Sequence, residues 1–102
     1  MYTARDRVEN EEWLAELNAT ADALELDAET RSVAEDVFLS SVPEEERSKR
    51  ATMAASLYAA GLVAGEQRSQ GTVADAADVS RITVQGHWKE LLERAGLDAP
   101  DW

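Results

Sequence analysis

Cysteine is absent from this 102-residue chain. That excludes a disulfide framework and any zinc site built on thiolates. Histidine occurs once, at His87, which excludes a histidine-rich metal site. Lysine occurs only as Lys49 and Lys89. No run is long and apolar enough to span a bilayer, and the polar start at Met1–Arg7 lacks a signal-peptide pattern, so a soluble, cytoplasmic protein is expected. The turns at Gly65 and Gly71 lack the lysine and spacing of a phosphate-cradling loop. The single histidine has no nearby nucleophile in a recognisable motif, so no enzyme activity, cofactor or metal is expected. Internal repeats and low-complexity segments are also missing.

What is present is acid. Asp and Glu total 21 and the formal net charge is -11, while 44% of residues are hydrophobic, enough for one domain with one core. An acidic, lysine-poor, alanine-rich composition resembles the proteins of salt-accumulating halophiles, whose surface self-repulsion is screened by salt. It predicts a fold that loosens when salt is withdrawn. The charge is unevenly placed. Residues 1–46 hold 14 acids and 3 bases, whereas residues 47–102 hold 7 of each. All of the net charge therefore lies in the N-terminal half.

Apolar periodicity predicts an all-α chain of five helices, with no good strand candidate. The first runs from Val8 to Leu24 on Trp13, Leu14, Leu17, Ala21 and Leu24. The second starts after Asp27, an N-cap, and runs to Val42 with Val33, Ala34, Val37 and Phe38 as its stripe. Pro43 breaks the pattern, and PEEERSKR reads as a loop or distorted helix start, capped by Ser48 or Ser41. The third helix, Lys49 to Ala64, is apolar or small almost all round and is expected to be a buried central post. Its alanines, with Gly61 and Ser56, are expected to let neighbouring helices approach, and Gly65 to stop it. The fourth is short, Thr72 to Asp78. Ser80 caps the fifth, whose Val84, Trp88, Leu91, Leu92 and Ala95 share one face and which Gly96 ends. Residues 8–96 are thus expected to form one domain, with a frayed start at 1–7. The tail at 97–102 ends in Trp102, either folded back or loose.

The last two helices, in TVADAADVSRITVQGHWKELLERAG, have the outline of a helix-turn-helix, a unit whose second helix often enters a DNA major groove. They lie in the neutral half, so the acidity of the whole chain says little about the potential near them. Five helices around an alanine-rich post, closing in a helix-turn-helix, resemble a cyclin box. More closely, AASLYAAGLVAGEQRSQGTVADAADVSRITVQGHWKELLE resembles one cyclin-like repeat of the archaeal transcription factor B and eukaryotic transcription factor IIB family. Arg68-Ser69-Gln70 stands at the family's R-T-Q turn, Val79–Val84 at the start of its last helix, and Trp88-Lys89-Glu90-Leu91 at its aromatic-basic-acidic-leucine run. The resemblance spans about residues 8–96 and is strongest over the last two helices.

The resemblance implies a nucleoid-associated regulator that contacts promoter DNA, or a TATA-binding-protein–DNA assembly. It implies DNA contacts from Arg68, Gln70, Thr72, Arg81, Ile82, Thr83, Gln85 and Lys89. Full-length relatives carry a zinc ribbon and two repeats, so one cysteine-free repeat is not expected to act as a complete initiation factor. The chain also departs from the family where Gln85, Gly86 and His87 replace residues that tend to be polar or basic. Arginine readout of guanine is thereby lost, and Gln85 retains the groups to read adenine. The plainer reading of the Arg81, Gln85, Lys89 and Arg94 face is a solvated surface with Lys89 paired to Glu93. Arg47, Lys49 and Arg50 either clamp a phosphate or acidic partner, or neutralise Glu44, Glu45 and Glu46 beside them. Two other readings are a protein-interaction module that holds helical peptides, and a homodimer using Trp13 or Trp102.

Overall fold

The computed structural model describes residues 8–97, so the expected frayed start and most of the tail, with Trp102, lie outside the described residues. Within them the chain forms α1 (Glu11–Ala23), α2 (Ala28–Ser40), α3 (Glu46–Ala64), α4 (Gln70–Ala77) and α5 (Arg81–Arg94). Val8 and Glu9 are also helical, ahead of a turn at Asn10. No strand occurs among the described residues. The fold is the all-α bundle that the periodicity predicts. No described helix is long and apolar enough to cross a membrane.

Each helix buries most of the stripe its spacing dictates, with Trp13, Val33 and Ala95 half-buried at the edge of the core. In α1, Leu14, Leu17 and Ala21 recur at three and four residues and are all buried. Helix α2 opens where Asp27 accepts the Thr30 N–H at 3.0 Å, and it buries Ala34, Val37 and Phe38. It stops at Ser40, two residues short of the expected end.

Helix α3 starts at Glu46, three residues earlier than expected, and its N-cap is Glu45 rather than Ser48 or Ser41. The acidic run that reads as a loop is instead placed at a helix N-terminus, where the positive end of the helix dipole favours carboxylates. Every residue from Met53 to Gly61 is buried, and α3 touches all four other helices, so it is the central post. Edge-on contact between Tyr58 and Trp88, with ring centroids 5.6 Å apart, fixes α5 to it. Trp88 is a core residue, buried with Val84, Leu91 and Leu92.

Four of the five helices end in the same way. A residue in the left-handed region follows the last turn, and the next N–H bonds back to a carbonyl five residues earlier. The pairs are Leu26 to Ala21, Glu66 to Gly61, Val79 to Ala74 and Leu97 to Leu92, at 2.9–3.0 Å. The left-handed residues are Glu25, Gly65, Asp78 and Gly96. This closure explains Gly61, whose role differs from the expected helix–helix approach. A Cβ on Gly61 would lie 2.8 Å from the carbonyl oxygen of Glu66, so the glycine makes room for the chain's own return after α3.

Candidate nucleic-acid interface

A short motif occurs twice, eleven residues apart, as Ser69-Gln70-Gly71-Thr72 and Ser80-Arg81-Ile82-Thr83. In each copy the serine caps a helix by accepting the threonine N–H at 3.1 Å. The same two hydroxyls also bond to each other, at 2.8 Å in both copies. The capping moves the start of α4 to Gln70, ahead of the expected Thr72. Helix α4 then buries Val73, Ala74 and Ala77, and the chain turns through Asp78, which adopts φ 60°. Three residues separate α4 from α5, the spacing of a helix-turn-helix.

The outward surface of this unit is built by α5. Arg81, Ile82, Gln85, Gly86 and Lys89 are exposed, and Thr83 is half-buried at the cap. Ile82 is 79% exposed, an unusual position for a large aliphatic side chain. Gly86 has open space where a side chain would stand, so a ligand can approach the helix backbone closely. From α4, Gln70 donates through Nε2 to the Gln85 Oε1, which ties the two helices together at the surface. Thr72 is exposed beside it. Gln70, Thr72, Arg81, Ile82, Thr83, Gln85 and Lys89 thus belong to one helix pair.

Arg68 is placed differently. Its guanidinium donates to the carbonyl oxygens of Leu24, Glu25, Glu66 and Gln67 at 3.0–3.3 Å. These include the free carbonyls at the C-terminus of α1, so Arg68 fastens the loop before α4 onto α1. Glu66 completes the fastening. Its carboxylate accepts the Asp27 N–H at 2.9 Å and the hydroxyl of the fully buried Thr30. Sequence reasoning missed Glu66, because its partners lie 36 and 39 residues away and no local pattern marks them. Asp27 itself is held below its ordinary value of 3.8, chiefly by the Thr30 N–H.

The densest basic cluster is neutralised within the chain. Arg47 pairs with Glu45 at 2.8 Å and Lys49 with Glu46 at 3.1 Å. Arg50 pairs with Glu16 at 3.7 Å, lies 5.3 Å from the centre of the Trp13 ring and donates to the Ala77 carbonyl at 3.2 Å. The last bond satisfies the C-terminus of α4, a role that no local signal in the sequence marks. The Trp13 indole donates to Glu46 at 3.0 Å and, with Lys49, holds that carboxyl below its ordinary value of 4.5. On α5, Arg94 pairs with Glu90 at 2.8 Å, and the expected Lys89–Glu93 pair is not formed.

Charge pairing therefore separates the cations. Among the described residues, Arg31, Arg47, Lys49, Arg50, Arg68 and Arg94 all have a carboxylate within 4.0 Å. Arg81 and Lys89 have none. Both project from α5, on either side of Ile82, Gln85 and Gly86. A cleft of about 560 Å³ opens on the other flank of α5, lined by Ser41, Pro43, Thr52, His87, Leu91 and Arg94. Its lining offers no unpaired lysine or arginine, so the cleft lies apart from the free positive charge. No group of His, Asp or Glu among the described residues is arranged to hold a metal ion.

Comparison with known proteins gives the family of the fold. The family model described as "Transcription factor TFIIB repeat" matches residues 10–94. The transcription initiation factor IIB of Pyrococcus horikoshii is 43% identical over 54 residues, covering 53% of this chain and 18% of that protein. Transcription initiation factor IIB 2 of Thermococcus kodakarensis is 34% identical over 82 residues, covering 78% of this chain and 27% of that protein. The transcription initiation factor IIB of Archaeoglobus fulgidus is 38% identical over 52 residues, covering 51% and 16%. The matched part of the chain thus spans 16–27% of the length of these relatives. Since the family match runs from the residue before α1 to the last residue of α5, the whole bundle with its closing helix pair is one unit of a known kind, and the chain belongs to the transcription factor TFIIB repeat family.

Proposed function

We propose that this chain is a transcription regulator that contacts promoter DNA through α4 and α5, alone or on a TATA-binding-protein–DNA assembly. The observation that carries the reading is the pairing pattern: in a strongly acidic protein, the two unpaired described cations, Arg81 and Lys89, flank the exposed start of the second helix of a helix-turn-helix. Phosphate contacts from Arg81 and Lys89 set the register, while Ile82, Thr83 and Gln85 face the base edges. Gln70 and Thr72 bring the α4 N-terminus to the DNA backbone, where the first-turn N–H groups left free by the Ser69 cap favour an anion. Arg68, Arg47, Lys49 and Arg50 hold the fold in position. The reading agrees with relatives named as transcription initiation factors.

Fluorescence anisotropy with labelled promoter duplexes, with and without TATA-binding protein, tests this. Affinity should fall as salt rises, and Arg81→Ala with Lys89→Ala should flatten that dependence by about 0.9 in log–log slope for each phosphate no longer neutralised. Wild-type affinity and slope in the double variant would overturn the reading. The cleft beside His87, where the buried Ser41 Oγ has no partner among the described residues, favours a second reading as a protein-interaction module. A protein partner that survives nuclease treatment and is released by Thr52→Trp in that cleft would support it.

A further inference from the structure

We infer that the Gln70–Gln85 pair is an adenine-reading device, so that the α5 face selects an A·T base pair. The inference rests on the DNA-contacting reading above and specifies its target. An unrestrained glutamine presents its amide in either of two orientations, because the terminal torsion is roughly two-fold. It can then turn its donor toward a base acceptor or its acceptor toward a base donor. Here Gln70 Nε2 donates to Gln85 Oε1, so the two amides bond to each other and the Gln85 amide is held along one side. One lone pair of Oε1 is used, leaving the other and both Nε2 hydrogens of Gln85. Neither glutamine has another partner among the described residues.

A fixed amide of this kind offers one acceptor beside one donor. In the major groove, adenine presents the complement, an N6 donor beside the N7 acceptor. Guanine presents two acceptors, O6 and N7, so an amide that meets it with both its oxygen and its nitrogen sets Oε1 against one of them. Thymine offers one acceptor and cytosine one donor, so neither satisfies both halves. The tether also lowers the rotamer freedom that Gln85 must give up on binding.

Two neighbours point to the same base pair. Ile82 lies one helical turn before Gln85 and is 79% exposed, so it is an apolar surface ready to meet the thymine methyl group. Gly86 follows Gln85 and presents no side chain, which lets the helix sit close enough for a short amide to reach the base edge. Unpaired Arg81 and Lys89 supply positive charge on either side.

The test is selection from a fluorescein-labelled duplex pool with a randomised centre, followed by anisotropy on single duplexes. Wild-type protein should enrich one adenine position, and placing 7-deazaadenine there should weaken binding about 10-fold, since it removes the N7 acceptor. Gln85→Arg should move the preference at that position to guanine. Gln70→Ala should narrow the adenine-over-guanine ratio severalfold, and uracil for the paired thymine should matter only while Ile82 is present. Unfolding is checked by circular dichroism on each variant. An unchanged adenine preference in Gln85→Ala, or full affinity for the 7-deazaadenine duplex, overturns the inference. Salt-dependent binding with no base preference overturns it while leaving the DNA reading intact. Absence of any DNA binding overturns both.

Discussion

Helices α1 and α2 belong to the half that carries the entire net charge of -11, while α4 and α5 belong to a half whose charges cancel. Among the described residues, it is nevertheless the neutral half that displays unpaired positive charge. The difference lies in pairing rather than in totals. Bases near the acidic half, Arg31, Lys49 and Arg50, are drawn into ion pairs or onto carbonyls. Arg81 and Lys89 have no carboxylate of the described residues within ion-pair distance. A ligand at contact distance meets those two groups before it meets acids on the far side, which salt screens beyond roughly 8–10 Å. Net charge is thus a poor guide to what a single helix face can bind.

The two halves differ in charge but share a core, and that can be broken most severely at Phe38. This fully buried α2 side chain packs in the core built around α3. Phe38→Ala should cost about 3–5 kcal/mol in urea denaturation. One cooperative transition, followed by both far-ultraviolet and tryptophan signals, is expected. Two separated transitions would show that the halves fold independently. Gly61→Ala should cost about 1–3 kcal/mol, because the new Cβ forces away the Glu66 carbonyl and with it the clasp that joins α2 to the loop before α4. Ser80→Ala acts on the neutral half alone. It should cost about 1 kcal/mol by removing the α5 cap, readable as a lower urea midpoint.

Charge effects should be smaller per residue, since exposed pairs contribute little individually. Withdrawing salt is expected to lower the melting temperature through the acidic half. A melting temperature that stays constant from low to molar salt would remove the halophile expectation. Acid should act at two carboxyls. Asp27 and Glu46 are both held below their ordinary values of 3.8 and 4.5. Their stabilisation is therefore complete above those values and is lost as pH falls below them through the folded values. Asp27→Asn and Glu46→Gln should each weaken that acid sensitivity, measured as the urea midpoint against pH. For Glu46→Gln, Trp13 emission should stop responding in the same range.

Much of this architecture is legible along the chain. The α1 and α5 stripes, the caps at Asp27 and Ser80, the buried alanine-rich post and the core position of Trp88 all follow from local spacing and side-chain chemistry. The start of α3 does not, because the side chain of its N-cap residue, Glu45, accepts no bond from the N–H groups of the first turn, and that turn reads as a charged loop. Two of the four left-handed helix ends fall on Glu25 and Asp78, where no glycine announces them. At the candidate site, the residue types are visible in the sequence but their employment is not. Arg68 reaches carbonyls 43 and 44 residues away, and Arg50 reaches one 27 residues away. Lys89 has an acid at the right spacing in Glu93 and does not use it, whereas Arg94 uses Glu90. Which cations remain available is decided by tertiary geometry.

The exposure of Ile82 has a consequence for how the proposed face behaves as its solvent changes. Contacts from Arg81 and Lys89 to phosphate weaken as ions accumulate, because less is gained by releasing counterions into a solution already rich in them. Burial of an aliphatic side chain responds in the opposite sense to salts that are excluded from protein surfaces. The two responses meet on one helical turn. As ionic strength rises, the balance of the interface shifts from long-range attraction toward shape and apolar fit, so crowding by salt makes the face slower to find a duplex and more selective once seated.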